Sequence, residues 1–178
     1  TIPLWNCIDI EGGIDSLSHG HKAYQTKGYF NPKLQSAMMR GLKRHAHDLS
    51  PTAKLGMLVA EYMRTRYDGV FYARAQNMSR ALTAAYDAVF ETADLVVMPT
   101  TPQTAHKRPA MPEEDRAEHI SQALNMCWNT ATFDLTGHPS ISVPVHGVDG
   151  LPVGLMLTGR QFEDATVLRA AHAYEQAT

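Results

Sequence analysis

The chain has 178 residues, 44% apolar and 19% charged, the composition of one globular domain or of a piece of a larger one. Sixteen Lys and Arg against eighteen Asp and Glu leave a formal charge of −2, which excludes a protein that binds nucleic acid or an anionic membrane through a basic patch. Cys7 and Cys127 stand far apart and supply neither a disulfide framework nor an all-sulfur zinc site. A reducing compartment follows. No apolar run approaches the roughly 20 residues that cross a bilayer, and no basic region followed by an apolar core opens the chain. The expected location is therefore cytoplasmic. The first residues, Thr1 and then the apolar Ile2-Pro3-Leu4-Trp5, read as the interior of a longer chain.

Residues 31–92 carry helical signals almost throughout. Asn31-Pro32 and Ser50-Pro51 each offer a capping side chain followed by a first-turn proline, the chemistry that starts a helix. A third helix is predicted from about Asp68, with Val70, Phe71, Met78, Leu82, Val89 and Phe90 in an apolar stripe at spacings of three and four. Leu95-Val96-Val97-Met98, closed by Pro99, predicts a central strand buried on both faces. The proline-bearing stretch from Thr100 to Glu118 reads as a loop. Helical spacing resumes from about Asp115 to Trp128 and puts Ile120, Leu124 and Cys127 on one face. Two strands, around Ser140–Pro144 and Pro152–Thr158, are expected to join through a turn at Asp149-Gly150, and a helix from Glu163 to Gln176 closes the chain.

Several residue groups invite chemical readings. His19 and His21 form one H-x-H pair and His45 and His47 another. On a helix, residues two apart point about 200° from each other, so the second pair is not expected to close on one ion. The first pair leaves a metal-dependent hydrolase as a weaker alternative, with only Asp15 near as a third ligand. Asp134, His138 and Ser140 supply the residue types of a hydrolytic triad, but within seven positions and without the G-x-S-x-G elbow that raises a serine out of a strand. A buried strand is the expected reading there. Cys127 as a nucleophile is disfavoured by its place on an apolar helix face. Glu113, Glu114 and Asp115 are expected to favour the positive end of the helix that follows. Gly12-Gly13 lacks the spacing and lysine of a phosphate loop, and no cofactor is implied.

The order and spacing of Asp94-Leu95-Val96-Val97-Met98-Pro99-Thr100, Asn129-Thr130, Gly137-His138-Pro139-Ser140-Ile141-Ser142-Val143-Pro144 and Gly150-Leu151-Pro152-Val153-Gly154 closely resemble the C-terminal part of amidase signature enzymes. Upstream, the Ile2 to Gly13 segment, the helices from Asn31 and the Tyr72-Ala73-Arg74 helix resemble bacterial amidases that act on small aliphatic and aromatic amides. The resemblance thus covers essentially the whole chain. It implies an α/β fold with a mixed β-sheet flanked by helices, of which residues 1–178 are the C-terminal portion of a single domain, 1–92 mainly helical and 93–178 strands and helices. It also implies hydrolysis of carboxylic amides to acid and ammonia through an acyl-enzyme.

The family's catalytic set is a serine nucleophile, a second serine and a lysine, with a glycine-rich oxyanion segment. All of these come from a Gly/Ser-rich signature that this sequence lacks: its eight serines include no Gly-Ser-Ser run. No catalytic residue is therefore expected here, and the chain alone should be inactive. The resemblance does place Trp5, Leu124 and Cys127 in the wall of the acyl pocket. Many relatives carry a glutamine after the Pro-Val-Gly strand start, where this chain has Leu155-Met156. The implied partners are a small amide, the N-terminal part of the same enzyme and, through open strand edges, a second copy in a homodimer. The rival reading is a non-catalytic binding module or subunit built on the same half-fold.

Overall fold

A computed structural model describes residues 1–14, 18, 29, 31–107 and 116–178. His19, His21, Asp15 and the acidic trio Glu113, Glu114 and Asp115 lie outside the described residues. The chain divides into two compact units, one formed by Asn6–Gln76, the other by Thr1–Trp5 with Asn77–Thr178.

The first unit takes in α1 (Ile2–Ile8) from Asn6 onward, a π-helical segment (Asp9–Ile14), α2 (Pro32–His45), α3 (Pro51–Tyr67) and the start of α4 (Val70–Val89). Both expected helix starts are present: the Asn31 side chain accepts from the backbone N–H groups of Lys33 and Leu34, and Ser50 accepts from that of Ala53. These satisfy donors that the first helical turn leaves unpaired. Asp68 and Gly69, both at positive φ, end α3 and turn the chain into α4. The π-helical segment packs on α3, with Ile14 against Gly56, where an added Cβ would sit 3.5 Å from the Ile14 side chain. Glu11 is buried there and accepts from the backbone N–H of Tyr72. The helix and π segment of residues 2–14 are not expected from sequence, because seven apolar-rich residues with a proline at the second turn position give no readable period.

The second unit is built on three strands, β1 (Val96–Pro99), β2 (Ser140–Val148) and β3 (Leu151–Thr158), in the order β1-β3-β2. The α/β class agrees with expectation. All pairings among these strands are antiparallel, where a mixed sheet is expected. β2 and β3 form the expected hairpin: Val148 pairs with Leu151, and Asp149 (φ 52°) and Gly150 (φ 78°) make a two-residue turn with both residues left-handed, which matches the twist of the strands. β1 is an edge strand in this sheet rather than the central one; the centre is β3. Its alternation shows why: Val96 and Met98 are half-buried, but Val97 on the other face is 55% exposed. An apolar run four residues long cannot distinguish these cases by composition.

One sheet face is apolar. Val143 and Leu157 pack against Ala171 of α7 (Asp164–Ala177), with Ile141, Leu155, Ala170 and Tyr174 around them. Strand alternation puts the other set, Ser140, Ser142, Gly154, Met156 and Thr158, on the opposite face. The expected helix over 115–128 is α5 (Arg116–Asn125), followed by turns. A further short helix, α6 (Ala131–Thr136), stands where no element is expected; Gly137 at φ 74° ends it with its N–H on the Phe133 carbonyl, 2.9 Å away. None of the described helices is long and apolar enough to cross a membrane.

Candidate functional site

The hydroxyl-bearing face of the sheet and α6 enclose an open cavity of about 320 Å³. Its floor is apolar, from the buried Phe133 and Met156, and its polar lining comes from Thr100, Thr130, Asp134, Ser140 and Ser142. Alternation along β2 turns Ser140 and Ser142 to the same side, and each meets a hydroxyl across the sheet. Ser142 Oγ lies 2.6 Å from Thr100 Oγ1, and Ser140 Oγ lies 2.8 Å from Thr158 Oγ1. The first pair depends on Gly154: an added Cβ there would lie 2.5 Å from Ser142 Oγ and 2.6 Å from Thr100 Oγ1. Thr100 is held from the backbone side by its N–H on the Gly154 carbonyl at 2.8 Å. The Asn129 side chain donates to the Pro99 carbonyl at 2.8 Å and ties the segment before α6 to the end of β1.

Asp134, His138 and Ser140 all line this cavity, but their hydrogen bonds do not form a relay. The imidazole of His138 is fully buried, with Nδ1 2.9 Å from Thr136 Oγ1 and Nε2 3.3 Å from Asp87 Oδ1. A carboxylate only accepts, so Nε2 donates toward Asp87, and Nδ1 shares the second hydrogen bond with the Thr136 hydroxyl. Phe90 and Tyr86 rings flank it at 5.1 and 6.1 Å. His138 is a packed, saturated side chain rather than a base, and Ser140 bonds to Thr158. The triad reading finds no geometry to support it.

Leu124 and Cys127 come together at the end of α5, where the Cys127 thiol donates to the Leu124 carbonyl at 3.1 Å. Leu124 is 39% exposed and Cys127 half-buried. Trp5 is half-buried in α1 and falls in the same compact unit. The Cys127 carbonyl accepts from Thr130 Oγ1 at 3.3 Å and from the Ala131 N–H at 2.9 Å, so the turn after α5 leads directly into the cavity lining.

The remaining histidine pair differs from expectation in geometry. α2 ends at His45, and a 3-10 turn (Ala46–Asp48) brings both rings onto one carboxylate, His45 Nδ1 and His47 Nε2 each 3.0 Å from an Asp48 oxygen. The opposed directions of two α-helical positions do not apply, because only His45 is in the α-helix and His47 is in the 3-10 turn. Among the described residues no group of three His, Cys, Asp or Glu is placed to hold a metal ion.

A family model for amidase matches residues 19–168 of the chain. The chain belongs to the amidase signature family. It is 39% identical over 176 residues to an enantioselective amidase of Rhodococcus rhodochrous, covering 98% of this chain and 34% of that enzyme. It is 42% identical over 174 residues to an uncharacterized protein in the nthA 5′ region of Rhodococcus erythropolis, covering 97% of this chain and 87% of that one. In fold it is similar to a bacterial aryl acylamidase of the amidase signature enzymes, with a TM-score of 0.65, 19% identity, and coverage of 98% of this chain and 33% of that structure. The amidase signature chain thus spans about a third of the length of the two amidases but most of the length of the uncharacterized relative.

Sequence reading of this amidase signature chain did not find Thr100, Ser142 and Gly154 as a group. The available signal is small: serines two apart in a strand, separated by the apolar Ile141, with a glycine diagonally across in the partner strand, where Gly154 pairs with Pro144 and Ser142 with Met156. Such a face reads equally well as a tightly packed one, and Thr100 joins it only through the sheet pairing.

Proposed function

We infer that this chain is the C-terminal part of an amide hydrolase and supplies part of its acyl pocket, with Trp5, Leu124 and Cys127 as pocket wall. The observation that carries this reading is the match over 98% of this chain to one third of an enantioselective amidase. The nucleophilic serine, the second serine and the lysine belong to the other two thirds of such an enzyme, and substrate is cleaved through an acyl-enzyme to acid and ammonia. The exposure of Leu124 and the half-burial of Cys127 at the end of α5 support a wall with a free side. An aliphatic side chain, a thiol and an indole together suit an apolar acyl group. The partners are then a small amide and the N-terminal part of the enzyme, and the location is the cytoplasm.

The test is a substrate size series in the complete enzyme. Trp5→Ala widens the pocket and should raise kcat/KM for bulky aromatic amides relative to acetamide; a widened pocket is worth about 1–3 kcal/mol of discrimination per methylene-sized group. Unchanged relative kcat/KM across the series contradicts the assignment. A second reading, a non-catalytic binding module or subunit, is favoured by one observation: the uncharacterized relative is matched over 87% of its length. The open edges of β1 and β2 suit association with another chain, including a second copy as a homodimer.

A further inference from the structure

We propose that the outer face of α2 is a docking surface for an acidic amphipathic helix of a partner protein. α2 holds four of the sixteen Lys and Arg, namely Lys33, Arg40, Lys43 and Arg44, and none of the eighteen Asp and Glu, an asymmetry that the net charge of −2 averages away. At about 100° and 1.5 Å per residue, the four fall within an arc of about 100° along about 16 Å of helix. All four are exposed, whereas Gln35, Met39 and Leu42, on the opposite side of α2, are half-buried. Among the described residues no carboxylate pairs with these cations: Asp48, the acid nearest α2 in sequence, is held by His45 and His47, and Arg40 donates to Ser36 Oγ at 2.6 Å.

The stability of α2 does not account for the arc. Lys33 stands in the first turn, where the helix dipole disfavours a cation, and Arg40 meets like charges one turn on at Lys43 and Arg44, spacings that destabilise a helix. Only Lys43 and Arg44, in the last turn, complement the dipole of α2. Carboxylates aligned on a partner relieve this repulsion and meet all four cations along one line. The flank of the arc selects the class of polyanion. Leu34 and Met38, both exposed, lie between the arc and the half-buried side, where the apolar residues of an amphipathic helix cover them. A nucleic acid backbone presents phosphate and sugar there and no apolar cover. An anionic membrane takes up the apolar face of an interfacial helix, but in α2 part of that face, Met39 and Leu42, is turned into the protein. The proposal stands apart from the amide-hydrolase reading and uses no residue of the acyl-pocket wall.

The experiment is fluorescence anisotropy of a labelled helical peptide, with leucine at its a and d heptad positions and glutamate at e and g, titrated with the 178-residue chain at low salt. Saturable binding is expected, weakened several-fold at about 0.15 M salt, where charges are screened beyond about 8 Å. The double variant Lys33→Gln with Arg40→Gln should weaken binding about five-fold, the scale of two surface ion pairs, without lowering the melting temperature. Arg44→Gln is the second variant and should act in the same direction, whereas Arg80→Gln, exposed on α4, should change nothing. No saturable binding, full affinity in both α2 variants, an equal loss in Arg80→Gln, or equal binding of the peptide with lysine in place of glutamate overturns the proposal. Tighter binding of a DNA duplex or of phosphatidylserine vesicles also overturns it and assigns the arc to phosphate. None of these outcomes bears on amide hydrolysis.

Discussion

Replacing His138 with alanine removes a side chain that is fully buried and uses both of its ring nitrogens. The loss has three parts. Two hydrogen bonds, to Thr136 and to Asp87, contribute about 1 kcal/mol each. Ring contacts to Phe90 at 5.1 Å and Tyr86 at 6.1 Å add about 0.5–1.5 kcal/mol beyond burial. The vacated volume costs more, and truncation of a buried ring of comparable size costs about 3–5 kcal/mol in all. We expect about 3–4 kcal/mol for His138→Ala, and less than about 1 kcal/mol for Asp87→Asn, since that carboxylate is 58% exposed and solvent screens the pair. Urea unfolding followed by tryptophan fluorescence measures this cleanly, because Trp5 and Trp128 both fall in the compact unit that holds His138. A loss below 1 kcal/mol for His138→Ala refutes the structural role and reopens His138 as a group held for chemistry.

Three further outcomes follow from the same geometry. Leu157→Ala, in the central strand against α7, should cost about 2–5 kcal/mol in the same assay, whereas Val97→Ala, 55% exposed on the edge strand, should cost less than about 1 kcal/mol; equal losses would contradict the order β1-β3-β2. Burial, and after it the Glu11 carboxylate, push the Cys7 thiol above its ordinary value. Its thiolate therefore forms only at more alkaline pH: the midpoint of iodoacetamide alkylation against pH should lie above that of a cysteine peptide, and a midpoint at or below the peptide's refutes the assignment. Gly150→Ala forces a side chain onto φ 78° in the hairpin turn and should destabilise the unit by about 1–2 kcal/mol, with no loss counting against a left-handed turn.

Much of the fold is legible in the sequence where local chemistry decides it. Asn31-Pro32, Ser50-Pro51 and Asp149-Gly150 each determine the backbone within a few residues, and each does in the structure what its side chains predict. What is decided by pairing is not legible. Val96 to Pro99 becomes an edge because β3 takes the centre, and no property of those four residues carries that information. α6 escapes notice for a different reason: six residues are too few to show a period, and its cap, Gly137, is read equally well as a turn. Helical spacing puts Leu124 and Cys127 on one face, although α5 ends at Asn125 and Cys127 stands in the turns beyond it, whereas Thr100 and Ser142, 42 residues apart, meet only through β1, β2 and Gly154 of β3.

The most direct test of the central claim is ammonia release from a panel of small aliphatic and aromatic amides by the folded 178-residue chain alone, with an intact amidase of the family as positive control. The account predicts no turnover above the buffer rate, because it assigns the nucleophile and its lysine to the other two thirds of such an enzyme. Turnover by the chain alone, lost on removal of one of its own serines or of Cys127, would contradict it.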